Sequence, residues 1–355
     1  MSRFFSEKYK DLTPYTPGEQ PKERRYIKLN TNESPFPPSP YAQILARQAA
    51  GSVELYSDPE CRQLVNVTSE KLGVSPDSLI FTNGSDDILN FAFMAFCDKD
   101  HPAAFSDITY GFYPVFAKLN GVPYEEIPLN EDFTLPVDKF SAAKGTLFIA
   151  NPNAPTGLYL PLRDIEKIVS GNRDRIVVVD EAYIDFGGES AAHLTEKYDN
   201  LLVTQTFSKS RSLAGARLGF GIACPSLIKD LQTIRYSTNP YNINSMTMAA
   251  GIGAMSDTEY FRENCRKIID TRGRLTKELR DMGFVIPESK ANFVFAKYPG
   301  IDGETVYNKL RERGILVRHF NKPRLRDYNR ITVGNDEQTD ILIETLKDIV
   351  SEEKQ

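Results

Sequence analysis

The stretch VVVDEAY, residues Val177–Tyr183, decides which fold this chain adopts. A run of β-branched apolar residues that ends in an acid is typical of a buried strand that delivers a side chain to the rim of a sheet. A second apolar run, Leu201–Thr204, leads to Lys209, and a third, Leu218–Cys224, follows Arg217. An acid, a lysine and an arginine therefore stand at strand ends, where open α/β sheets bind their ligands.

The residues around Lys209 indicate what kind of chemistry this edge supports. They are small or carry hydroxyl groups, so that a bulky group can approach the backbone; they are Ser208, Ser210, Ser212, Ala214 and Gly215. A lysine in this setting suits a Schiff base with a carbonyl cofactor. The acid upstream suits a protonated pyridine nitrogen, and the arginine downstream suits a phosphate. Each residue alone has an ordinary structural explanation, but their spacing favours the joint interpretation.

Seven short motifs then carry a resemblance to one family. They are LNTNE (29–33), NGSD (83–86), TYG (109–111), NPNAPTG (151–157), DEAY (180–183), SK (208–209) with Arg217, and RITVG (330–334). Their order and spacing resemble the fold-type I pyridoxal-phosphate aminotransferases, and within them the histidinol-phosphate aminotransferases. The resemblance covers nearly the whole chain.

The resemblance implies a function. Pyridoxal 5′-phosphate would form a Schiff base with Lys209, and Lys209, Asp180 and Tyr183 would be the catalytic residues. The expected reaction is transamination between histidinol phosphate and 2-oxoglutarate, in histidine biosynthesis. A decarboxylase of the threonine-phosphate type and a broad aromatic aminotransferase stay open as alternatives. A cofactor-free binding module is the alternative from another class, and the retained Lys209 argues against it.

The resemblance also implies the residues that hold the cofactor. Besides the catalytic residues and Arg217 they are Ser85, Asp86, Tyr110, Thr206, Ser208 and, from a partner subunit, Tyr56. The turn before Ser85 opens a helix predicted over 87–96, and a glycine turn into a helix N-terminus suits a phosphate. Family members carry an asparagine directly before Pro-Thr-Gly. Ala154 stands there in this chain, and we expect its neighbour Asn153 to take that role.

The substrate residues implied by the resemblance lie near both ends of the chain. They are Tyr15, Asn32, Glu33, Arg318 and Arg330. A guanidinium fork binds a carboxylate or a phosphate through two hydrogen bonds. Arg330 is therefore expected to bind the substrate's anionic group, with Arg318 as the second candidate.

The pattern of apolar runs predicts the domain organisation. We expect an α/β fold of the fold-type I class, in which a mostly parallel central sheet is flanked by helices and a smaller α+β domain is added. The segment 1–40 is rich in proline, which excludes a long helix and predicts an arm that packs on the small domain or on a partner subunit. Residues 41–250 would form the large cofactor-binding domain and residues 251–355 the small one.

Composition limits the partners and the compartment. The chain has 355 residues, of which 41% are hydrophobic, as in globular proteins. A net charge of −5 argues against nucleic acid as a partner, and we expect neither a membrane span nor a signal peptide. The four cysteines and three histidines are dispersed, which predicts reduced thiols and no metal site. We therefore expect a cytoplasmic homodimer.

Overall fold

The structure, a computed structural model, describes residues 2–354 and contains twelve short strands within that range. They are β1 (Ile27–Lys28), β2 (Leu79–Thr82), β3 (Ala103–Ser106), β4 (Tyr124–Ile127), β5 (Thr146–Ala150), β6 (Val177–Asp180), β7 (Leu201–Thr206), β8 (Gly219–Ala223), β9 (Phe293–Ala296), β10 (Ile315–Leu316), β11 (Arg318–His319) and β12 (Asn329–Thr332).

Eleven α-helices in the described residues connect and cover these strands. They are α1 (Pro40–Ala49), α2 (Arg62–Leu72), α3 (Ser85–Phe96), α4 (Tyr113–Asn120), α5 (Val137–Ala142), α6 (Leu162–Gly171), α7 (Pro225–Thr238), α8 (Ser245–Ser256), α9 (Thr258–Asp281), α10 (Gly303–Glu312) and α11 (Asp336–Glu352).

The central sheet has seven strands in the order β2-β8-β7-β6-β5-β3-β4. The pairs from β7 to β4 are parallel, whereas β8 runs antiparallel to both β7 and β2. The carboxyl ends of β2, β5, β6 and β7 and the amino end of β8 therefore meet at one edge. This topology places the segments after Thr82, Ala150, Asp180 and Thr206 next to the segment before Gly219.

Both faces of the sheet are covered by helices, which explains the continuous apolar runs in the sequence. The side chains of Val177 and Val179 belong to one core cluster and that of Val178 belongs to the other, because successive side chains of a strand point to opposite faces. Helices α1, α2, α6 and α8 supply the first cluster, and α3, α4 and α7 supply the second. Strand β6 is thereby held rigidly at the centre of the molecule.

A smaller unit follows the long helix α9. It is built on the antiparallel sheet β11-β12-β9, with α10 and α11 packed on it. The two-residue strand β1 pairs in parallel with β10, and Leu29 is buried in the core of this unit. The N-terminal arm is thus tied to the C-terminal part of the chain, and its residues 30–33 lie beside the end of β12.

The predicted α/β class is confirmed: a mostly parallel sheet lies between helices, and a smaller α+β unit accompanies it. The strands β1 and β4 and the helix α5 were not predicted. Strand β4 carries Glu125 and Glu126, both exposed at the sheet edge, which hides the strand pattern. Helix α3 begins at Ser85 and not at residue 87.

The domain boundaries at residues 40 and 250 stay a prediction.

Among residues 2–354, none of the helices has the length and apolar character needed to cross a bilayer.

Candidate active site

The predicted site residues meet in two adjoining cavities at the sheet edge. One cavity, of about 390 Å³, lies over the carboxyl ends of β6 and β7, and the other, of about 500 Å³, opens toward the arm and the small unit. Side chains from both units of the fold line them. The walls that both cavities share are formed by Thr31, Tyr110, Ala154, Tyr183 and Lys209.

Lys209 extends from the end of β7 into the shared space. Its Nζ donates a hydrogen bond to the backbone oxygen of Thr31 at 3.1 Å, and no carboxylate of the described residues lies within ion-pair distance of it. Burial, together with the nearby cation of Arg330, lowers the pKa of the Lys209 amine to about 8. Part of the amine is therefore uncharged near neutral pH, as a nucleophile or a base requires.

Asp180 lies at the end of β6 with only 5% of its surface exposed. Its carboxylate accepts hydrogen bonds from the hydroxyl of Tyr113 at 3.1 Å and from the backbone N–H of Ala182 at 3.3 Å. Burial raises the pKa of this carboxyl to about 7. A carboxylate in this position is stabilised when a cation is placed against it, as a protonated pyridine nitrogen would be.

The turn from β2 into α3 forms an anion cradle with Arg217. The backbone N–H groups of Ser85 and Asp86 stand at the first positions of the helix, where no intrahelical acceptor exists. Arg217, in the left-handed conformation with φ of 56°, points its Nη2 at Asp86 Oδ2, 3.2 Å away, and its Nη1 at Ser208 Oγ, 3.5 Å away.

Two glycines keep this cradle open. A Cβ on Gly219 would lie 2.3 Å from the backbone nitrogen of Ser85, and a Cβ on Gly84 would lie 2.6 Å from Nη2 of Arg217. Either contact is far shorter than non-bonded atoms tolerate. The sequence therefore keeps backbone donors and a guanidinium close together, as binding of a phosphate requires.

Aromatic side chains form the cavity wall on the side of α4. The hydroxyl of Tyr110 donates to Asp86 Oδ1 at 2.8 Å, and its ring borders both cavities. Tyr113, which the sequence analysis did not select, is fully buried and holds Asp180. Its spacing of three residues from Tyr110 near a helix start was the signal that could have identified it.

Arg330, at the start of β12, is a half-buried cation without an acidic partner among the described residues. Its Nη2 donates to the backbone oxygen of Asn30 at 3.1 Å, and its buried Nε has no acceptor. The guanidinium lies over the rings of Phe293 and Phe320, at 5.4 and 5.8 Å from their centroids. Burial lowers its pKa from the ordinary value. An anion in the cavity would complete its interactions.

Arg318 and Glu33 have protein partners of their own. The two Nη atoms of Arg318 donate to the backbone oxygens of Thr16 at 3.0 Å and Pro17 at 3.2 Å, so Arg318 fastens the arm over the cavity. The carboxylate of Glu33 accepts from Lys28 at 2.7 Å and from Thr31 at 2.8 Å. Both residues border the cavities, but their charged groups are already engaged.

The arm also brings Tyr15 and Asn32 to the site. The ring of Tyr15 stacks on Phe112 with centroids 4.2 Å apart and borders the larger cavity. The side-chain amide of Asn32 donates to the hydroxyl of Tyr183 at 3.0 Å. Thr206 and Ser208 border the smaller cavity and bond to each other at 3.0 Å.

The structure does not place Asn153 in the site, which corrects the expectation for this residue. Its amide donates to the backbone oxygen of Ile108 and to Oγ1 of Thr156, both at 3.1 Å, and therefore stabilises its own loop. The side chain of Ala154 faces both cavities in its place.

Tyr56 also lies outside the two cavities. It is 84% exposed and stacks on Tyr241, with centroids 4.5 Å apart. Its predicted contact with a partner's cofactor stays a prediction.

The residues present fit pyridoxal 5′-phosphate. A half-buried amine, a buried carboxylate without a cationic partner among the described residues, and an anion cradle that two glycines keep open all face one cavity. These groups match the aldehyde, the ring nitrogen and the phosphate of that cofactor.

Comparisons with known proteins agree with this chemistry. A family model described as aminotransferase class I and II matches residues 24–346. A protein of Brachyspira hyodysenteriae named histidinol-phosphate aminotransferase is 47% identical over 99% of this chain and 99% of its own length. A protein of that name from Clostridium acetobutylicum is 45% identical over 99% and 100%.

A solved structure shares the fold. It is histidinol-phosphate aminotransferase from Sinorhizobium meliloti in complex with pyridoxal-5′-phosphate, with a TM-score of 0.86 and 25% identity over 93% of this chain and 92% of that chain. The fold-type I class and the cofactor predicted from the sequence are thereby confirmed.

Gly219→Ala tests the anion cradle. The added Cβ would displace the N–H of Ser85, so we expect the affinity for pyridoxal 5′-phosphate to fall by about tenfold or more, because one hydrogen bond to a charged group is worth about 1.5–3 kcal/mol. Gly221→Ala in the same strand is the matched control, since its Cβ meets only side chains of Ile80, Ile88 and Leu202. Equal affinities of the two variants, measured by equilibrium titration, would contradict the assignment.

Asp180→Asn tests the buried carboxylate through stability. Because the folded protein holds the proton of Asp180 up to about pH 7 and the unfolded chain only up to 3.8, the stability carried by the protonated group is lost as pH rises between these values. The amide does not ionise and escapes this loss. We expect the cofactor-free variant to exceed the wild type in free energy of unfolding, by a margin that widens up to pH 7 and is constant above it.

We expect the opposite order for cofactor affinity, because the neutral amide of the variant binds pyridoxal 5′-phosphate more weakly than the carboxylate of the wild type does. Burial also raises the pKa of Glu181 to about 7. Because both proteins contain Glu181, its effect on the free energy of unfolding cancels in the comparison. Denaturant unfolding at several pH values measures the margin. A cofactor-free variant less stable than the wild type at pH 8 would be inconsistent with an unpaired buried charge.

Proposed function

This chain belongs to the class I and II aminotransferase family, and we propose that within it the protein transfers the amino group of histidinol phosphate to 2-oxoglutarate, a step of histidine biosynthesis. The relatives that bear the corresponding name align with this chain almost from end to end, which supports the substrate as well as the reaction class. The observation that carries the proposal is the half-buried Arg330, which has no acidic partner among the described residues and borders the same cavity as Lys209.

When bound, pyridoxal 5′-phosphate would supply an aldehyde that takes up the amino group of one substrate for transfer to the next, and a ring that acts as an electron sink. Lys209 would hold its aldehyde and Asp180 its ring nitrogen. Ser85, Asp86 and Arg217 would hold its phosphate, and Tyr110 would flank the ring. These are the assignments that the geometry supports.

Lys209 is the residue that transfers the proton. Its Nζ lies between the floor of the cavity at β7 and the backbone oxygen of Thr31, and its lowered pKa leaves part of the amine uncharged near neutral pH. An uncharged amine held in this position can take a proton from the substrate's α-carbon and deliver it to the carbon contributed by the cofactor's aldehyde group. The arm segment that Arg318 fastens down helps to exclude water during this transfer.

Arg330 serves both substrates. Histidinol phosphate carries a phosphate and no carboxylate, whereas 2-oxoglutarate carries two carboxylates. A guanidinium binds either anion through the same fork. The free Nε and the apolar surroundings of Arg330 favour a strong interaction with whichever anion enters. Tyr15 and Phe112 offer an aromatic wall for the rest of the substrate.

We also propose that the enzyme works as a cytoplasmic homodimer. A set of large apolar side chains is exposed around α1, the following loop and the start of α8; it comprises Tyr41, Ile44, Val53, Leu55, Tyr56, Tyr241 and Met246. A patch of this kind favours self-association. Tyr56 would reach the cofactor phosphate of the partner from this patch. All four cysteines are free thiols, as in a reducing compartment.

Arg330→Met tests the substrate assignment. We expect kcat/KM for histidinol phosphate to fall about 10- to 100-fold, because a hydrogen-bonded charge pair is lost. The half-reaction with histidinol, which lacks the phosphate and does not involve 2-oxoglutarate, should change much less when each protein is assayed at its own pH optimum. The pH profile should move to higher pH, since Arg330 lowers the pKa of Lys209. An unchanged ratio between the two substrates would refute the role of Arg330.

The same assay separates rival reactions. Turnover of phenylalanine in preference to histidinol phosphate would indicate an aromatic aminotransferase. Release of carbon dioxide from threonine phosphate would indicate a decarboxylase.

Subunit mixing tests the shared site. Lys209→Ala should be inactive, and Tyr56→Ala should lose about tenfold or more in cofactor affinity. A hybrid dimer of the two variants contains one intact site, so equal mixing after subunit exchange should give about one quarter of the wild-type activity at a cofactor concentration too low to load the Tyr56→Ala homodimer. Absence of recovery, with exchange verified by mass, would mean that Tyr56 does not act across an interface.

A further inference from the structure

Three side chains from distant parts of the chain form a hydrogen-bonded relay behind the cofactor cavity. Thr332, at the end of β12, donates from Oγ1 to Oδ1 of Asn32 at 3.1 Å. Asn32 donates from Nδ2 to the hydroxyl of Tyr183 at 3.0 Å. Thr332 and Asn32 are buried, and Tyr183 is 9% exposed at the cavity wall.

One further contact is consistent with the direction of these hydrogen bonds. Oγ1 of Thr332 accepts the backbone N–H of Asn32 at 3.0 Å, so its own hydrogen is available for Oδ1 of Asn32. With Oδ1 toward Thr332, the amide nitrogen of Asn32 must face Tyr183. An amide nitrogen only donates, and therefore the oxygen of Tyr183 must accept.

This direction determines where the hydrogen of Tyr183 points. Its oxygen already accepts from Asn32, and no acceptor for its own hydrogen occurs among the described residues. The open space beside the hydroxyl is the cavity. Tyr183 therefore presents a hydrogen-bond donor to whatever binds there.

The NPNAPTG loop, which also lines the cavity, supplies no side-chain donor of this kind. Ala154 presents a methyl group to the cavity, and the amide of Asn153 is bonded to its own loop. The donor at this end of the cavity is consequently Tyr183, and its orientation depends on Asn32.

We propose that Asn32, held by Thr332, is a positioning residue that fixes Tyr183 as the hydrogen-bond donor to the phenolic oxygen of the cofactor. The sequence analysis assigned Asn32 to the substrate, whereas its amide nitrogen is engaged by Tyr183. The relay also makes the cofactor environment depend on the small unit, because Thr332 belongs to that unit while Tyr183 follows β6 in the large one. The proposal rests on the proposed function in one respect, namely that pyridoxal 5′-phosphate binds in this cavity, and it adds that the phenolic oxygen of that cofactor faces Tyr183.

Asn32→Asp is the sharpest test. The two side chains have nearly the same shape, and aspartate also tolerates the left-handed conformation of residue 32, whose φ is 56°. A carboxylate cannot donate, so the hydroxyl of Tyr183 would turn its hydrogen toward residue 32 and away from the cavity. Thr332→Val is the second variant, since it removes the hydroxyl that orients the amide. Ser34→Ala, in the same arm segment and bonded to Ser212, is the matched control.

The readout is the pH titration of the visible absorbance of the cofactor-loaded enzyme without substrate. A donor to the phenolic oxygen weakens the hold of that oxygen on the proton shared with the nitrogen of Lys209. Loss of the donor should therefore raise the midpoint of the titration by about one pH unit in Tyr183→Phe and in Asn32→Asp, with a smaller rise in Thr332→Val. Ser34→Ala should leave the midpoint unchanged.

The Tyr183→Phe background separates the relay from a direct electrostatic effect. Tyr183 is faced by Lys209, Arg330, Asp180 and Asp86, and a new carboxylate at residue 32 also acts on these charges through space. If Asn32 acts through Tyr183, neither Asn32→Asp nor Thr332→Val should shift the midpoint further in Tyr183→Phe. A shift that persists in full in that background, or an unchanged midpoint in both single variants, would overturn the proposal.

Thermal melting of the cofactor-free variants shows whether each of them folds. If Asn32→Asp does not fold, Thr332→Val tests the proposal in its place. Because no substrate is added, the titration is independent of the proposed reaction. A wild type that titrates as expected but does not turn over histidinol phosphate would refute the proposed function alone.

Discussion

The structure depends on three charged groups, removed wholly or partly from water, that the described residues leave unpaired at one edge of a sheet. Lys209, Asp180 and Arg330 lie in or beside one cavity, and the described residues offer none of them an oppositely charged side chain. Removing a charge from water is costly, and the pKa values of all three move toward the uncharged form. A cofactor and a substrate anion can supply a partner for each of these groups, and their binding then offsets the cost.

The rest of the molecule keeps these charges apart and in place. Parallel pairing of β6 with β7 sets the distance between the strand ends that carry Asp180 and Lys209. Close approach of β8 to the start of α3, which only glycine permits at position 219, sets the anion cradle. The arm and the small unit bring Arg330 and Thr31 to the opposite side. The site is therefore assembled from elements far apart in sequence.

The sequence predicted the parts of this site that local patterns determine. Apolar β-branched runs located β6 and β7 and hence Asp180 and Lys209, and the glycine turn located Ser85. Side-chain direction within irregular loops was not accessible: Asn153 and Ala154 are neighbours, and only the loop conformation decides which one faces the cavity. Contacts across some 150 residues or more, such as Asn32 to Tyr183 or Arg318 to the arm, have no local signal at all.

The central claim is that Lys209, Asp180 and Arg330, together with the cofactor and a substrate anion, catalyse transamination of histidinol phosphate. A single half-reaction tests this claim most directly. Histidinol phosphate is added in stoichiometric amount to the cofactor-loaded protein, and the visible absorbance is followed. The account predicts that the band disappears as the amino group is taken up and returns when 2-oxoglutarate is added, over repeated cycles. A band that histidinol phosphate leaves unchanged, while another amine discharges it, would contradict the account.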